Sequence, residues 1–437
     1  MKILQVAHTF LPKFVAGTEI YTFEISQALK SKKNNLRIAY TDPLANAYTL
    51  RKLDYGGIIC YEIQKDINNV FSFEDSFQDK QVEDFFIDIL DDYQPDVIHY
   101  QHLMFLSNNI IKQAKKRNIK QLMSLHDFWF QCLTHKRITT DNTLCVNPTI
   151  DKCIKCHTDL LNRTLPVPAS LKTFSKNFAK KIKNNFYYHY RKKLLKKQLL
   201  YRLHSHREVL QSVDLVIYPT KFLQDELYQW ELKGKNNLIS NDGIQDKYFR
   251  NFKKTHSKTL RFGFIGSIVP AKGLMILVKA WEKIKRNHAV LQIYGNFSDD
   301  PHYAKNVKQI IANCKNIEIK GAFKPDQIAK IFKQIDVLII PSTWFENAPL
   351  VLRNSFLAKT PVIGTNLGGI SELIKDGVNG FLFENENSDD LAKKIDHIIN
   401  NPEILKKFRF PKQKTIDENA QELIRLYARF KKNKYEK

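Results

Sequence analysis

Glycine is scarce in this 437-residue chain, with 15 residues, and ten of those fall between Gly263 and Gly380. Such poverty excludes collagen-like repeats. Glycines crowded into one stretch mark places where the backbone needs positive φ or approaches something closely. Long apolar runs are missing too, and no run approaches the ~20 residues of a membrane-spanning helix. The N-terminal segment Met1 to Leu11 is broken by Gln5 and His8. It reads as a buried first strand rather than a signal peptide, which places the protein in the cytoplasm. Six cysteines in a chain of this length exclude a small disulfide scaffold. Acidic residues are outnumbered, 45 against 69 Lys and Arg, so the formal net charge is 69 − 45 = +24. Part of that excess is local, because Leu160 to Arg207 holds thirteen Lys and Arg and no Asp or Glu.

What is present is ordinary folded protein. Hydrophobic residues make up 43% and charged residues 26%, which excludes disorder. The length suggests two or three domains with sizeable cores. KILQVAHTF reads as a strand, TEIYTFEISQALKSK as a helix and RIAYTD as a second strand. The run from Phe71 to Tyr93 is helical in character, and PDVIHYQH and QLMSLHD are strands separated by the helix NIIKQAKKRN. After a basic insertion, DLVIYPT and NLISNDGI continue the series. A second series runs through LRFGFIGSI, VLQIYG, NIEIKGAF, DVLIIPS, TPVIGTN and GFLFE. Alternation of this kind predicts two doubly wound parallel sheets, with polar residues such as His99, His102, His126 and Asp127 at strand C-terminal ends.

The expected boundaries are residues 1–246 for a first Rossmann-like domain, with a Cys-rich and basic insertion at about 128–207. Residues 247–412 form a second such domain, and 413–437 carry a closing helix. A polar, weakly patterned stretch from Asp246 to Lys258 reads as the linker.

Three places suit anionic or polyhydroxyl ligands. The loop Ala16-Gly17-Thr18-Glu19 lets backbone N–H groups at a helix N-terminus meet an anion, or is simply a tight turn. In FIGSIVPAKG, Lys272 can set an ammonium against a diphosphate while Gly273 keeps the backbone close, or is a solvated lysine. The densest feature runs from Asp336 to Phe383. There a strand ends at Pro341-Ser342, the following loop carries Glu346, and Pro349 sits where a helix begins. The next strand, TPVIGTN, leads to Gly368-Gly369, read as a backbone-exposed turn.

These motifs resemble the retaining nucleotide-sugar glycosyltransferases of family 4, which have the GT-B fold. That family has a Glu, seven residues, a second Glu, then a Pro-Val strand and a Gly-Gly turn. The resemblance spans nearly the whole chain, from the Gly17 loop to Gly380, and the final helix looks like the one that crosses back to the first domain. It implies a cleft between two facing domains holding a nucleotide-diphosphate sugar as co-substrate. Gly17 would lie against the diphosphate, and Lys272 would neutralise the leaving group. Glu346 would hydrogen-bond the donor sugar with help from backbone N–H groups at Asn347 and Ala348, and position 354 would meet the ribose. His126 matches an active-site histidine near the reacting carbon, with Asp127 able to orient its ring. Lys272 and backbone dipoles would stabilise the departing diphosphate without a catalytic metal. Two positions depart from the pattern. Asn354 replaces the second Glu, which loses charge-assisted bonding, and Ser267 stands where an Arg often supplies one more diphosphate contact.

Cys132, Cys145, Cys153 and Cys156 are spaced C-x12-C-x7-C-x2-C directly after HDFWFQ. In a reducing compartment that pattern suits a structural zinc, as in similar loops of some family members. Reduced thiols, two disulfide bridges and an iron–sulfur centre are the other readings. From Lys172 to Arg207 lysines alternate with apolar residues. Phe178, Ile182, Phe186, Tyr190 and Leu194 step by four and drift by about 40° each time, which predicts a helix with a break near Leu194. This segment fits an anionic membrane surface, which would hold the protein at the inner face of the cell membrane beside a lipid-linked acceptor. A solvated helix face is the plainer reading.

The function expected is transfer of a sugar from a nucleotide donor to a glycan or lipid-linked acceptor in capsule, O-antigen or lipopolysaccharide assembly. The alternative is a non-catalytic degenerate transferase, or a basic protein binding nucleic acid or an anionic surface. No aromatic RNA-binding signature accompanies the charge, which disfavours nucleic acid.

Overall fold

In the computed structural model, residues 1–67, 73–156, 179–284, 288–314 and 316–432 are described, with backbone alone for 179–188 and 430–432. Two units are distinguished. One comprises Met1–Tyr218, Gln224–Ile239 and Gln421–Lys437, and the other Pro219–Leu223 and Ser240–Ala420.

The first unit is built on an eight-stranded sheet. Its strands are β1 (Lys2–Val6), β2 (Asn35–Asp42), β3 (Leu44–Tyr55), β4 (Ile58–Asp66), β5 (Val97–Tyr100), β6 (Lys120–Ser124), β7 (Leu215–Tyr218) and β8 (Asn237–Ile239). They lie in the order β3-β4-β2-β1-β5-β6-β7-β8. All neighbours are parallel except β3, which runs antiparallel to β4. The β3–β4 hairpin adds to the expected alternation. Gly56 and Gly57 close it at φ 61° and 75°, the handedness a two-residue hairpin turn needs. The helix expected from Phe71 starts later, at Lys80–Tyr93, where the Asp79 carboxylate accepts from the Val82 N–H at 3.1 Å.

The basic helix is Ala179–Ser212 and is unbroken. The expected break near Leu194 is absent because a different stripe holds the helix down. Leu195, Leu199, Leu203, His206 and Leu210 are all buried, at spacings of four, four, three and four that follow the helical period. Residues 172–178 of the basic segment, Phe178 included, lie outside the described residues.

The second unit carries six strands, all parallel: β9 (Leu260–Ile265), β10 (Ala289–Tyr294), β11 (Ile317–Gly321), β12 (Val337–Ile340), β13 (Val362–Thr365) and β14 (Gly380–Phe383). Their order is β11-β10-β9-β12-β13-β14. Helices cover both faces. Phe262, Leu277, Trp281, Ile293 and Leu391 pack on one side, and Phe332, Leu338, Leu352 and Ile370 on the other. Each such side chain contributes about 1.5–3 kcal/mol by leaving water.

The last helix, Ile416–Lys432, has its start in the second unit, where Asn419 Oδ1 accepts from the Gly243 N–H at 2.8 Å. From Gln421 it belongs to the first unit, where the Tyr427 hydroxyl lies 2.8 Å from His99 Nδ1. Both expected doubly wound units are therefore present. Each sheet also has a point where the strand order reverses, between β1 and β5 in one and between β9 and β12 in the other. Open parallel sheets receive ligands at the strand C-terminal ends beside such a point.

Candidate active site

The reversal point of the second sheet brings the loops after β9 and β12 side by side. After β9 come exposed Ser267 and the single turn Pro270–Lys272, ended by Gly273 at φ 69°. A Cβ at Gly273 would sit 1.7 Å from the Pro341 carbonyl oxygen, so only glycine lets the Lys272 turn lie against the end of β12. The Thr343 N–H donates to the Ala271 carbonyl at 3.0 Å and ties the two loops together. In consequence the Lys272 ammonium is 2.6 Å from Glu346 Oε1. Two further donors reach the same oxygen, the Trp344 indole N–H at 2.7 Å and the Ser342 hydroxyl at 3.1 Å. The Lys272 ammonium also lies 5.1 Å from the centre of the Trp344 ring, within cation–π range. Glu346 is 8% exposed, and its Oε2 receives no hydrogen bond from the described residues.

The Gly368-Gly369 turn, expected to be backbone-exposed, packs instead against this loop. The Gly369 N–H donates to the Glu346 carbonyl at 2.7 Å, and a Cβ there would fall 1.6 Å from the Asn347 carbonyl oxygen. Asn347 is buried and Ala348 half-buried in the same loop, and Pro349 caps the helix Leu350–Leu357. That helix carries Asn354, which is half-buried. Lys272, Glu346, Asn347 and Ala348 thus stand together, with Asn354 one helix further on. Among the described residues Ser267 makes no hydrogen bond to Lys272 or Glu346. Ser342 and Trp344 were missed from the sequence, although an indole two residues from a carboxylate in a sheet-mouth loop was a usable signal.

Gly17 and His126 belong to the first unit. Gly17 is exposed and opens the helix Gly17–Ser31. His126 Nε2 is 2.9 Å from Gln101 Oε1, and the Gln101 amide donates to Gln5 Oε1 at 2.9 Å. The expected orienting role of Asp127 toward His126 is not what the structure shows. Both Asp127 oxygens are 3.1 Å from His102 Nε2, and Oδ1 accepts from the Trp129 N–H at 2.8 Å. The reason is geometric. Alternation along the chain sends neighbouring side chains different ways, and His102 Nδ1, by accepting the Met104 N–H, turns its Nε2–H toward Asp127.

Sequence reasoning also passed over His8 and Glu19. The His8 and His102 ring centres are 4.2 Å apart, and Glu19, 2% exposed, accepts from Thr9 at 2.5 Å with His8 Nε2 at 3.4 Å. Burial first, then neighbouring His102, hold the His8 imidazole well below its usual range. Burial likewise lowers His135 to about 4. For Asp127 burial acts upward, but His102 and the Trp129 N–H outweigh it and hold the carboxyl well below the usual range.

The structural zinc expected at Cys132, Cys145, Cys153 and Cys156 is not supported. Among the described residues, no group of three or more His, Cys, Asp or Glu is placed to hold a metal ion. All four cysteines are free. Burial pushes the Cys153 thiol up to about 12, with its three cysteine neighbours adding to the effect, and raises Cys145 and Cys156 as well.

Comparison with known proteins covers the two units unequally. Residues 246–433 match the family described as Glycosyl transferases group 1. An uncharacterized glycosyltransferase of Methanocaldococcus jannaschii is 30% identical over 217 residues, 49% of this chain and 56% of that protein. The poly(ribitol-phosphate) alpha-N-acetylglucosaminyltransferase of Staphylococcus aureus is 30% identical over 168 residues, 36% of this chain and 33% of that one. The chain thus spans about half the length, or less, of these curated relatives. Anabaena HepE, solved in complex with UDP, aligns with 99% of this chain and 98% of its own at TM-score 0.60 and 15% identity. That likeness covers both units, and the fold is the GT-B fold.

Proposed function

We propose that the protein is a glycosyltransferase. It moves a sugar from a nucleotide-diphosphate donor to a glycan or lipid-linked acceptor, with retention of configuration, in the assembly of a surface polysaccharide. The carrying observation is the contact of Lys272 with Glu346 at the reversal point of the second sheet, inside the stretch that matches group 1 glycosyl transferases. A lysine ammonium has three N–H donors. One serves Glu346 Oε1, and two remain for the oxygens of a diphosphate. As the bond from the anomeric carbon to the phosphate oxygen breaks, the sugar becomes oxocarbenium-like and negative charge grows on the diphosphate. A fixed ammonium there stabilises that state more than the ground state. The acceptor oxygen then bonds to the anomeric carbon on the same face and passes its proton to the departing phosphate oxygen. Glu346 would hold sugar hydroxyls, and Asn354 a ribose hydroxyl. Gly17 and Ser267 would lie along the diphosphate, and His126 would act near the reacting carbon.

Relatives support the pathway in outline, since the Staphylococcus aureus protein is by its name a poly(ribitol-phosphate) glycosyltransferase. The test is transfer by purified full-length protein from a panel of nucleotide sugars. Glu346→Ala and Lys272→Ala should each lower kcat/KM by about 10²–10³-fold while the thermal midpoint stays. Unchanged turnover in both would reject the site.

The partner proposed for the basic helix is an anionic membrane surface. No helix among the described residues is long and apolar enough to cross a membrane. Away from its buried stripe the helix Ala179–Ser212 exposes Lys193, Lys196 and Lys197 beside Tyr190 at 51% and Leu200 at 45%. Lysines interleaved with exposed apolar side chains suit a headgroup layer. The protein should float with phosphatidylglycerol vesicles and not with phosphatidylcholine ones, and Lys193→Glu with Lys196→Glu should abolish flotation.

A further inference from the structure

The three donors on Glu346 converge on one of its two oxygens. Lys272, Trp344 and Ser342 all reach Oε1, at 2.6, 2.7 and 3.1 Å, while Oε2 takes no bond from the described residues. A carboxylate oxygen offers about two lone pairs, so three donors saturate Oε1 and leave the acceptor capacity on Oε2. The donors also come from different places. Lys272 arrives from the loop after β9, while Ser342 and Trp344 belong to the loop after β12, four and two residues before Glu346. Together they fix the carboxylate's rotation about its last bond, a torsion that is otherwise broad.

We propose that Trp344 and Ser342 are positioning residues that lock Glu346 so that Oε2 alone receives a pair of adjacent hydroxyls on the donor sugar. This rests on the transferase reading and extends it to the sugar ring. A single oxygen accepting two hydrogen bonds matches a vicinal diol, so the site selects donor sugars with two neighbouring free hydroxyls over sugars that lack one of the pair. The indole does two jobs that can be separated. Its ring face lies under the Lys272 ammonium and its N–H holds Glu346. Phenylalanine keeps a ring beneath the ammonium and removes only the N–H.

The test is calorimetric titration of full-length wild type, Trp344→Phe and Ser342→Ala with UDP-glucose, UDP-N-acetylglucosamine and GDP-mannose, and with UDP and GDP alone. Each variant should bind the best nucleotide sugar about tenfold more weakly while its affinity for the matching nucleoside diphosphate stays within twofold. The sugar-dependent part of the affinity should vanish in both variants when the donor is replaced by its deoxy analogue at one hydroxyl of the pair. Equal losses for sugar nucleotide and diphosphate would mean a merely structural role and overturn the proposal. So would no loss in either variant while wild type binds normally, with the donor site itself intact. If wild type binds neither nucleotide sugars nor diphosphates, the transferase reading falls and takes this proposal with it.

Discussion

The reversal points of the two sheets are built from different materials. In the first unit ionisable side chains face one another there: His8 against His102, His102 against Asp127, and Glu19 against His8. In the second a single ion pair is placed by backbone, with glycines at 273 and 369 letting loops approach to distances no Cβ would allow. The lesson is that similar topology can fix a mouth through protonation state or through chain geometry. The first should therefore respond to pH and the second to a methyl group.

The largest effect expected is at Gly369. Alanine there would place its Cβ 1.6 Å from the Asn347 carbonyl oxygen, and backbone cannot swing aside as a flexible side chain would. Gly369→Ala should cost about 3–5 kcal/mol and disrupt the Glu346 loop. Gly377 is the control. It stands at φ 72° with nothing within 4 Å of its added Cβ, so Gly377→Ala should cost only the left-handed penalty of about 1–2 kcal/mol. Urea denaturation of the two variants side by side measures the difference. Equal midpoints would show that close approach is not what shapes the second mouth.

Why glycine works this way was partly legible in the sequence. The crowding of ten glycines between Gly263 and Gly380 pointed to close backbone approach, and Lys272-Gly273 and the Glu346 loop were singled out correctly as neighbours of a sheet mouth. Strands such as VLII at β12, buried throughout, announce themselves by composition. The β3–β4 hairpin was less visible because its strands are mixed in polarity, with β3 largely exposed, although Gly56-Gly57 was a turn signal. The unbroken Ala179–Ser212 helix was misjudged because beyond Tyr190, which is exposed, it packs through Leu195, Leu199, Leu203, His206 and Leu210. The wrong partner for Asp127 has a more general cause. Adjacency in sequence says little about which of several histidines, brought in from three strand ends, a carboxylate will meet.

The middle-sized effect concerns pH and the first mouth. His135 has an ordinary value near 6.5 when exposed and about 4 in the fold, because burial disfavours its charged form. Below about pH 6.5 the unfolded chain takes up this proton and the folded chain does not. Stability is therefore fully present above that pH and is lost as pH falls toward 4. The loss from this one group is on the order of 3 kcal/mol. His8, facing His102, His126, His135, Asp127 and Glu19, shifts in the same direction and adds to the slope. Asp127 acts in the same direction but over a lower range. Its carboxyl is held low, so its contribution persists to below pH 4 before it is lost. The urea midpoint should hold steady from pH 8 to 7 and fall between 6.5 and 4.5, and His135→Gln should flatten part of that fall. A wild-type midpoint independent of pH over this range would remove the distinction between the two mouths.

The smallest effect is the sharpest about the ligand. Asn354 stands half-buried on the helix Leu350–Leu357, which Pro349 begins directly after the Glu346 loop. Its amide makes no side-chain hydrogen bond among the described residues, so nothing in the fold requires an amide there. A carboxylate at this position would accept a hydroxyl hydrogen bond about 1 kcal/mol more strongly than the amide does, because hydrogen bonds to charged groups are the stronger kind. Asn354→Glu should therefore tighten UDP or GDP binding about fivefold and leave the urea midpoint within about 0.5 kcal/mol, as surface-type changes do. The sign carries the argument. A tighter complex means that a ribose hydroxyl reaches the helix, whereas a weaker one means that diphosphate charge lies close enough to repel the new carboxylate. No change would place the nucleotide elsewhere, and the second mouth would then be a fixed ion pair without the ligand its geometry suits.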